Sequence, residues 1–322
     1  MKGKLQSLQT LWHPLKNGLS VSGLEMWLVD RVAFEVYYLH KLEAVETWNK
    51  NTNYGSLVQA GIEGYIKTRQ RAGAVRLLDN EFKKQCTQHS EYSEIAFWAT
   101  LAGHQVDTWI RMYGKDIEKY GFNDSEKHHQ IVVELPSGRS IKMHGYIDGE
   151  SDTMLMENKC RGEWDEQTIV QEIQYNLQVN LYTLFFEAAH DRLPDKIWYQ
   201  HIRRPNGFGY RGPRKKAKES DTEFAGRLAE AIESDRDYHF FRYWIIPDRG
   251  MVDRFRYRCL YPMLEAFLDW YEFMSLPSQK GVVNKVHWMT PYGLYNPFME
   301  GTAEKFRQYR LTGCKHGLRP RS

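Results

Sequence analysis

The sequence predicts a mixed α/β fold of the α+β kind, in which a mixed central sheet is flanked by helices. Three observations support this prediction. Residues 1–120 are mostly helical in pattern, and residues 121–202 change to short β-branched runs separated by turns. Residues 203–322 begin with a basic loop and then return to strand and helix patterns. We therefore expect one domain over residues 1–322, with helical additions on both sides of a sheet-bearing core.

The first part of the chain predicts three helical regions. Residues 20–45 combine a serine cap with a repeating apolar face, which favours a helix. Residues 55–70 predict a second helix, on which Gln59 and Glu63 lie one turn apart on one face. Residues 91–120 are rich in aromatic residues and predict one long helix or two, with those aromatics in the core.

From residue 121 onward the pattern favours strands. Residues 130–135 and 141–147 are joined by a Pro-Ser-Gly turn, and residues 154–159 follow, so three consecutive antiparallel strands are expected. Residues 169–189 contain no Gly or Pro and predict one helix. The later elements are a strand at 196–202 parallel to that at 154–159, an amphipathic helix at 221–237, a strand at 238–246 and a helix at 251–275.

One acidic stretch lies between the second and third predicted strands. A hairpin there would bring Asp148 beside Glu157, and the period of two along a strand directs Lys159 to the same side as Glu157. Two carboxylates suit Mg²⁺ or Mn²⁺, and a lysine can orient an attacking water. By itself, this spacing is common by chance and favours a solvated acidic turn with an ordinary ion pair.

The predicted helix at 169–189 carries a stripe of amides and phenols that includes Gln178 and Tyr182. Such a stripe can contact a phosphate backbone without distinguishing bases. A half-buried aromatic face is an equally good interpretation of the helix alone.

Taken together, these motifs resemble the PD-(D/E)XK nuclease superfamily. Asp148, the triplet Glu157-Asn158-Lys159, and Gln178 with Tyr182 follow the order of its RecB-like exonuclease branch, in which Q-x-x-x-Y follows the E-x-K strand. Residues 55–63 look like the G-[ST]-x-x-H-x-x-[LI]-E helix of that branch. The resemblance implies a restriction-endonuclease-like αβββαβ core.

The resemblance also implies roles for individual residues. Asp148, Glu157 and the backbone carbonyl of Asn158 would hold Mg²⁺ or Mn²⁺, and Lys159 would position water for attack on a phosphodiester. Gln178 and Tyr182 would hold the DNA strand near the scissile phosphate. This sequence departs from the branch at Gln59, which stands where the branch has a histidine ligand. A glutamine carbonyl is a weaker ligand, so the metal site is expected to be altered.

Many RecB-like nucleases hold an iron–sulfur cluster with one cysteine near the N-terminus and three near the C-terminus. The four cysteines here are far apart and form no C-x-x-C pair, and one of them lies near the end. Four thiolates are the usual ligands of such a cluster, so we predict that this chain has none. The four residues are Cys86, Cys160, Cys259 and Cys314.

A basic segment rich in Gly and Pro follows the strand at 196–202 and predicts a loop. It can simply solvate the surface, but beside a nuclease site a contact with the DNA backbone is favoured. Its basic residues include Arg203, Arg204, Arg214, Lys215 and Lys216.

Composition sets further limits. The 44 lysines and arginines nearly balance the 41 aspartates and glutamates, which argues against a histone-like polyanion binder but leaves local basic patches open. No segment has the length of a transmembrane helix or the pattern of a signal peptide, so a cytoplasmic protein without a membrane partner is expected.

The leading hypothesis is a metal-dependent DNA nuclease, an exonuclease if it follows its branch, acting in DNA recombination, repair or phage replication. Its partner would be DNA without sequence preference, together with a recombination or replication protein. The alternative is a catalytically weak DNA-binding or assembly protein on the same fold, favoured by the loss of the histidine at Gln59. A helical interaction protein with chance motif matches would have no affinity for DNA.

Overall fold

The computed structural model describes residues 12–44, 48–162, 165–173, 175–205, 210–275 and 318–321. The chain divides into two compact units. The first contains residues 1–46, 130–145 and 250–322, and the second contains residues 47–129 and 146–249. Helices and mixed sheets occur together, so the predicted α+β class is confirmed. The prediction of one domain over the whole chain stays a prediction.

The described elements are named in chain order. The helices are α1 (Val21–Val29), α2 (Arg31–Phe34), α3 (Lys50–Thr68), α4 (Arg71–Gln88), α5 (Ile95–Lys119), α6 (Glu166–Ile173), α7 (Leu177–His190), α8 (Asp221–Ser234), α9 (Arg236–His239), α10 (Arg249–Phe255) and α11 (Tyr261–Ser275). The strands are β1 (Leu19–Ser20), β2 (Leu42–Ala44), β3 (Lys127–Glu134), β4 (Ser140–Ile147), β5 (Gly149–Glu150), β6 (Met154–Arg161), β7 (Lys196–Arg203), β8 (Phe240–Ile245) and β9 (Leu318–Pro320). Two π-helical turns lie at Glu35–Leu39 and Arg256–Leu260.

The first unit is held by an aromatic cluster. The ring of Phe267 lies 5.4 Å from those of Trp27 and Phe34 and 5.8 Å from that of Trp12. Edge-to-face geometry places the positive edge of one ring against the negative face of the next. The cluster joins helix α11 to the N-terminal helices of the same unit.

The predicted helix over residues 20–45 is wrong beyond its first turns. Ser20 caps α1 by accepting from the N–H of Gly23, as expected. Asp30 then adopts an extended backbone with φ −147°, and its carboxylate accepts from the N–H groups of Val32 and Ala33. A side chain that caps a new helix ends the preceding one. The chain continues into β2, which pairs antiparallel with β9.

The second unit is built on a mixed four-stranded sheet with the order β5-β6-β7-β8. Strand β6 pairs antiparallel with β5 and parallel with β7, and β8 pairs antiparallel with β7. The predicted parallel pairing of the strands at 154–159 and 196–202 is therefore confirmed. The predicted run of three antiparallel strands is wrong for its last pair. Strand β4 pairs with β1 and β3, and the short strand β5, which follows Asp148, takes its place beside β6.

Helices α3, α4 and α5 precede the sheet of the second unit, which also contains α6 to α9, and the sequence pattern predicts no element at α4. The predicted single helix over 169–189 is wrong, because it divides into α6 and α7. Asn176 has an extended backbone, and its side chain accepts from the N–H of Val179 at 3.0 Å, which starts α7. A strong N-cap residue inside an apolar stretch therefore begins a new helix.

Some predictions concern residues that the structure covers only in part. Most of the tail after residue 275, including Cys314, lies outside the described residues. Cys86, Cys160 and Cys259 are free thiols. The expected lack of an iron–sulfur cluster thus stays a prediction. Within the described ranges, no helix is long and apolar enough to cross a membrane.

The crossing of α3 and α4 depends on a glycine. A Cβ at Gly64 would collide with the carbonyl oxygen of Gly73 and lie 2.8 Å from its carbonyl carbon. Gly64→Ala should therefore lower the free energy of unfolding by about 1–3 kcal/mol, as overpacking does. The measurement is urea unfolding followed by circular dichroism. The matched control is Gly226→Ala in α8, where a Cβ meets nothing within 4 Å and helix propensity should add up to about 1 kcal/mol. Equal effects of the two substitutions would contradict the close crossing.

Candidate active site

The second unit contains a pocket of about 760 Å³. Asp148, Glu157 and Lys159 all line it. Gln59 and Gln178, which the sequence placed on two different helices, line it as well. Five residues that the sequence pattern assigned to one site therefore face one cavity.

The β5–β6 hairpin brings the two carboxylates together. Gly149 pairs with Met156 in the antiparallel register, so Asp148 comes opposite Glu157 at the end of the ladder. A Cβ at Gly149 would lie 2.5 Å from the methyl group of Met156, so a larger residue there would require this side chain to move. The predicted hairpin is confirmed.

Asp148 is held in place by the backbone of the opposite strand. Its Oδ2 atom accepts a hydrogen bond from the N–H of Asn158 at 2.7 Å. Burial raises the pKa of Asp148 well above its ordinary value, and the negative charge of Glu157 raises this pKa further, while Lys159 opposes the shift. The side chain is thus held where its negative charge is unfavourable in the absence of a bound cation.

Lys159 is the positive group of the site. Its Nζ lies 2.5 Å from Oε1 of Glu157, and it also donates to the side-chain oxygen of Gln178. Burial disfavours the charged lysine, but the carboxylates of Glu157 and Asp148 outweigh burial and raise its pKa. Gln178 in turn donates to the hydroxyl of Tyr182 at 2.8 Å, so helix α7 fixes the position of the ammonium.

A second carboxylate of the same hairpin, Glu150, has a very different environment. It accepts hydrogen bonds from His129 at 2.5 Å, His190 at 2.8 Å and Lys127 at 3.0 Å. Burial would raise the pKa of Glu150, but these three donors lower it to about 2. Glu150 is therefore a fully paired structural carboxylate, in contrast to Asp148.

The structure adds Glu126, which no sequence pattern predicts as a site residue. Glu126 lines the pocket, and its Oε1 accepts from the side-chain amide of Gln59 at 3.1 Å. Burial raises its pKa, against the effect of the hydrogen bond from Gln59. Its backbone is left-handed with φ +53°, which is rare for a residue other than glycine. No motif marks this residue in the sequence, because the loop between α5 and β3 brings it to the pocket.

Two arginines assigned to the basic loop lie elsewhere. Arg203 is the last residue of β7 and is buried. Its Nε donates to the backbone carbonyl of Tyr238 at 3.0 Å, and its guanidinium lies 4.1 Å from the centre of the Tyr238 ring. Arg204 is also buried, and burial lowers its pKa. Their placement in a solvated loop is corrected, because strand β7 extends through Arg203. Tyr182 is likewise buried, so Gln178 is the residue of this pair that reaches the pocket.

The remaining basic residues of the loop are more accessible. Arg214 donates to the backbone carbonyl of Tyr210 at 3.0 Å, and Lys215 forms an ion pair of 2.5 Å with Asp221. Lys216 is exposed as well. Exposed ion pairs contribute little free energy, so these cations remain available to an anionic partner.

The donor set fits a hard divalent cation. Mg²⁺ is commonly held by one or two carboxylates with water in the other positions, and Asp148 with Glu157 supplies two. The two polar atoms of the Asn158 amide are buried, and neither finds a hydrogen-bond partner among the described residues. In the same ranges, no group of three or more His, Cys, Asp or Glu forms a metal cluster, so water or substrate would complete the coordination.

Comparisons with known proteins provide no function. No family model matches the chain, and no curated protein matches it. Among solved structures, the crystal structure of a protein called SSO0001 is similar at 17% sequence identity, covering 57% of this chain and 86% of that chain with a TM-score of 0.21. A TM-score this low carries no argument about function.

The raised pKa of Asp148 has a measurable effect on stability. A carboxyl group with a raised folded-state pKa contributes stability that is complete below the ordinary value of 3.8 and lost as the pH rises through the raised pKa. When a chelator removes divalent cations, Asp148→Asn should therefore raise the melting temperature above that of the wild type at neutral pH. This gain should shrink as the pH falls towards 4, because the wild-type group then becomes protonated. The control is Asp152→Asn, an exposed carboxylate of the same hairpin, and an equal gain there would contradict the assignment.

Proposed function

We propose that this chain is a metal-dependent deoxyribonuclease of the PD-(D/E)XK type, which hydrolyses phosphodiester bonds with Mg²⁺ or Mn²⁺. The observation that supports the proposal most strongly is the convergence of Asp148, Glu157 and Lys159 on one pocket. An ordinary surface ion pair has one carboxylate and one cation, whereas here the pair of Glu157 with Lys159 has a second carboxylate, Asp148, beside it in an unfavourable environment. Perturbed groups in a cleft are typical of catalytic sites.

The two carboxylates would hold the metal together with the backbone carbonyl of Asn158. When bound, the metal would make a water molecule more acidic and stabilise charge on the phosphate. Asp148 would enter this role already oriented by the N–H of Asn158. Gln59 would act at the edge of the site, where its amide holds Glu126. Glu126 would thus bring a carboxylate close to the position at which the RecB-like branch has an imidazole.

Lys159 would donate to the attacking water or to a phosphate oxygen. Its hydrogen bond to Gln178 and its ion pair with Glu157 hold the ammonium in one orientation. A preorganised donor of this kind stabilises charge as it develops in the transition state. Gln178 and Tyr182 would be positioning residues, because they act on the reaction through Lys159.

DNA is the proposed substrate, and the accessible cations Arg214, Lys215 and Lys216 are the candidates for contact with its backbone. Such contacts carry no sequence information, so binding would be independent of sequence. An exonuclease that processes DNA ends in recombination, repair or phage replication is the form we propose.

A second candidate is a DNA-binding or assembly protein with little catalytic activity. The engagement of Gln59 by Glu126 favours this candidate, because that amide replaces the imidazole of the branch. Dependence on a divalent cation separates the two, since a nuclease needs Mg²⁺ or Mn²⁺ and stops in chelator.

Glu157→Gln should abolish metal-dependent cleavage of a linear DNA. Removing one of two charged ligands leaves too little negative charge to hold a hard cation. The measurement is product release against Mn²⁺ concentration, with Mn²⁺ affinity determined by calorimetry. The matched control is Glu134→Gln, an exposed strand residue outside the pocket, which should behave as the wild type. Cleavage by Glu157→Gln at the wild-type rate would refute the metal site.

Lys159→Met should lower kcat by about 10²–10³-fold, the usual effect of losing one transition-state donor. DNA affinity should change far less, because the proposed interaction strengthens only as charge develops. Single-turnover cleavage and fluorescence anisotropy measure the two quantities separately. A large loss of affinity with an unchanged single-turnover rate would make Lys159 a phosphate anchor instead.

A further inference from the structure

An exposed aromatic ring lies at the mouth of the candidate active site. Tyr146 is 53% exposed and lines the same pocket as Asp148. Along β4, buried and accessible side chains alternate, and Tyr146 belongs to the accessible set. Asp148 follows two residues later, roughly 7 Å further at the usual rise of a strand. The ring and the carboxylate thus line one cavity from positions two residues apart in the chain.

The ring of Tyr146 is supported from one side. The imidazole of His128 lies 4.9 Å from it, centroid to centroid, with an interplanar angle of 39°. Tyrosine has few rotatable bonds, so a ring with such a neighbour is a rigid contact surface with a low entropic cost of ordering. Tyr146 is therefore suited to stack against a flat ligand at the pocket.

The charge of the pocket argues against attraction of a phosphate backbone by the lining alone. Two lysines, Lys84 and Lys159, face the cavity. They are outnumbered by carboxylates. The five acidic residues of the lining are Glu63, Glu81, Glu126, Asp148 and Glu157. Electrostatic attraction of phosphates needs an excess of cationic groups, so this pocket requires another source of affinity.

A base that stacks on Tyr146 would supply that affinity. Stacking of bases on aromatic side chains contributes to single-strand affinity beside a cationic groove, and it tolerates every base. Inside a duplex, both faces of a base are covered by its neighbours, so Tyr146 could not reach them. An unpaired base has a free face and a flexible backbone that can turn towards Asp148.

We propose that Tyr146 is a base-stacking platform that makes the site select DNA with an unpaired nucleotide at the scissile phosphate. This inference rests on the proposed nuclease function and names its substrate class as single-stranded DNA or an unpaired DNA end. Tyr146 determines specificity, because it holds the base next to the phosphate that is cleaved.

The test uses the full chain and a single-stranded oligodeoxynucleotide that carries 2-aminopurine, compared with the same strand in a blunt duplex. Binding is titrated with Ca²⁺ under conditions in which no product forms, and cleavage is measured with Mn²⁺. The variants are Tyr146→Ala, which removes the ring, and Tyr146→Phe, which keeps it. The matched control is Tyr257→Ala, which removes an exposed tyrosine that also has one ring neighbour, Tyr261, and does not line this pocket.

The wild type and Tyr146→Phe should quench 2-aminopurine on binding the single strand and should cleave the single strand faster than the duplex. Tyr146→Ala should lose the quenching and lose about 5- to 100-fold in single-strand affinity, the range of one stacked base. Its activity on the duplex should change little, and Tyr257→Ala should match the wild type.

Two results would overturn the inference in distinguishable ways. If the wild type cleaves DNA but Tyr146→Ala retains the quenching or loses both substrates equally, the platform is refuted and the nuclease function stands. If the wild type neither binds nor cleaves either substrate with any divalent cation, the proposed function fails and the platform fails with it.

Discussion

The arrangement of this site depends on two carboxylates held side by side against their mutual repulsion. Asp148 and Glu157 meet because β5 and β6 pair antiparallel, with Gly149 opposite Met156. Burial and the charge of Glu157 raise the pKa of Asp148, and Lys159 opposes this shift without reversing it. A ligand that relieved this unfavourable arrangement would explain why the protein keeps it, which supports the cation site proposed for the hairpin.

The comparison of Asp148 with Glu150 makes this point within one hairpin. Burial acts to raise the pKa of both carboxyl groups, but Glu150 accepts from three donors and its pKa falls to about 2. Asp148 receives a backbone N–H and a second carboxylate instead. Burial is therefore common to both residues, and the partners decide which one is structural and which one is available to a cation.

The candidate site also depends on where helix α7 begins. Asn176 caps this helix after α6 has ended at Ile173, so Gln178 stands in the first turn and meets Lys159. In an uninterrupted helix, Gln178 and Tyr182 would have continued a stripe from residue 171. In α7, the side chain of Gln178 accepts from the ammonium of Lys159 and donates to the hydroxyl of Tyr182, so the three groups form a short chain of hydrogen bonds. Acidic residues outnumber basic ones in the lining of the pocket. Tyr146 is the exposed aromatic residue of that lining among the described residues.

The sequence by itself determined the class of fold, the parallel pairing of β6 with β7, and the trio Asp148, Glu157 and Lys159. The trio follows from strand periodicity and turn chemistry, which act over a few neighbouring residues, and the parallel pairing follows from a strand–helix–strand order along the chain. Tertiary structure alone decided that Glu126 joins Gln59 at the pocket and that Arg203 is buried, since both depend on residues distant in the chain. The breaks at Asp30 and Asn176 were also missed, because helical apolar spacing outweighed the capping tendency of a single polar residue in the prediction. Local patterns thus predicted the candidate site residues, and long-range packing decided their surroundings.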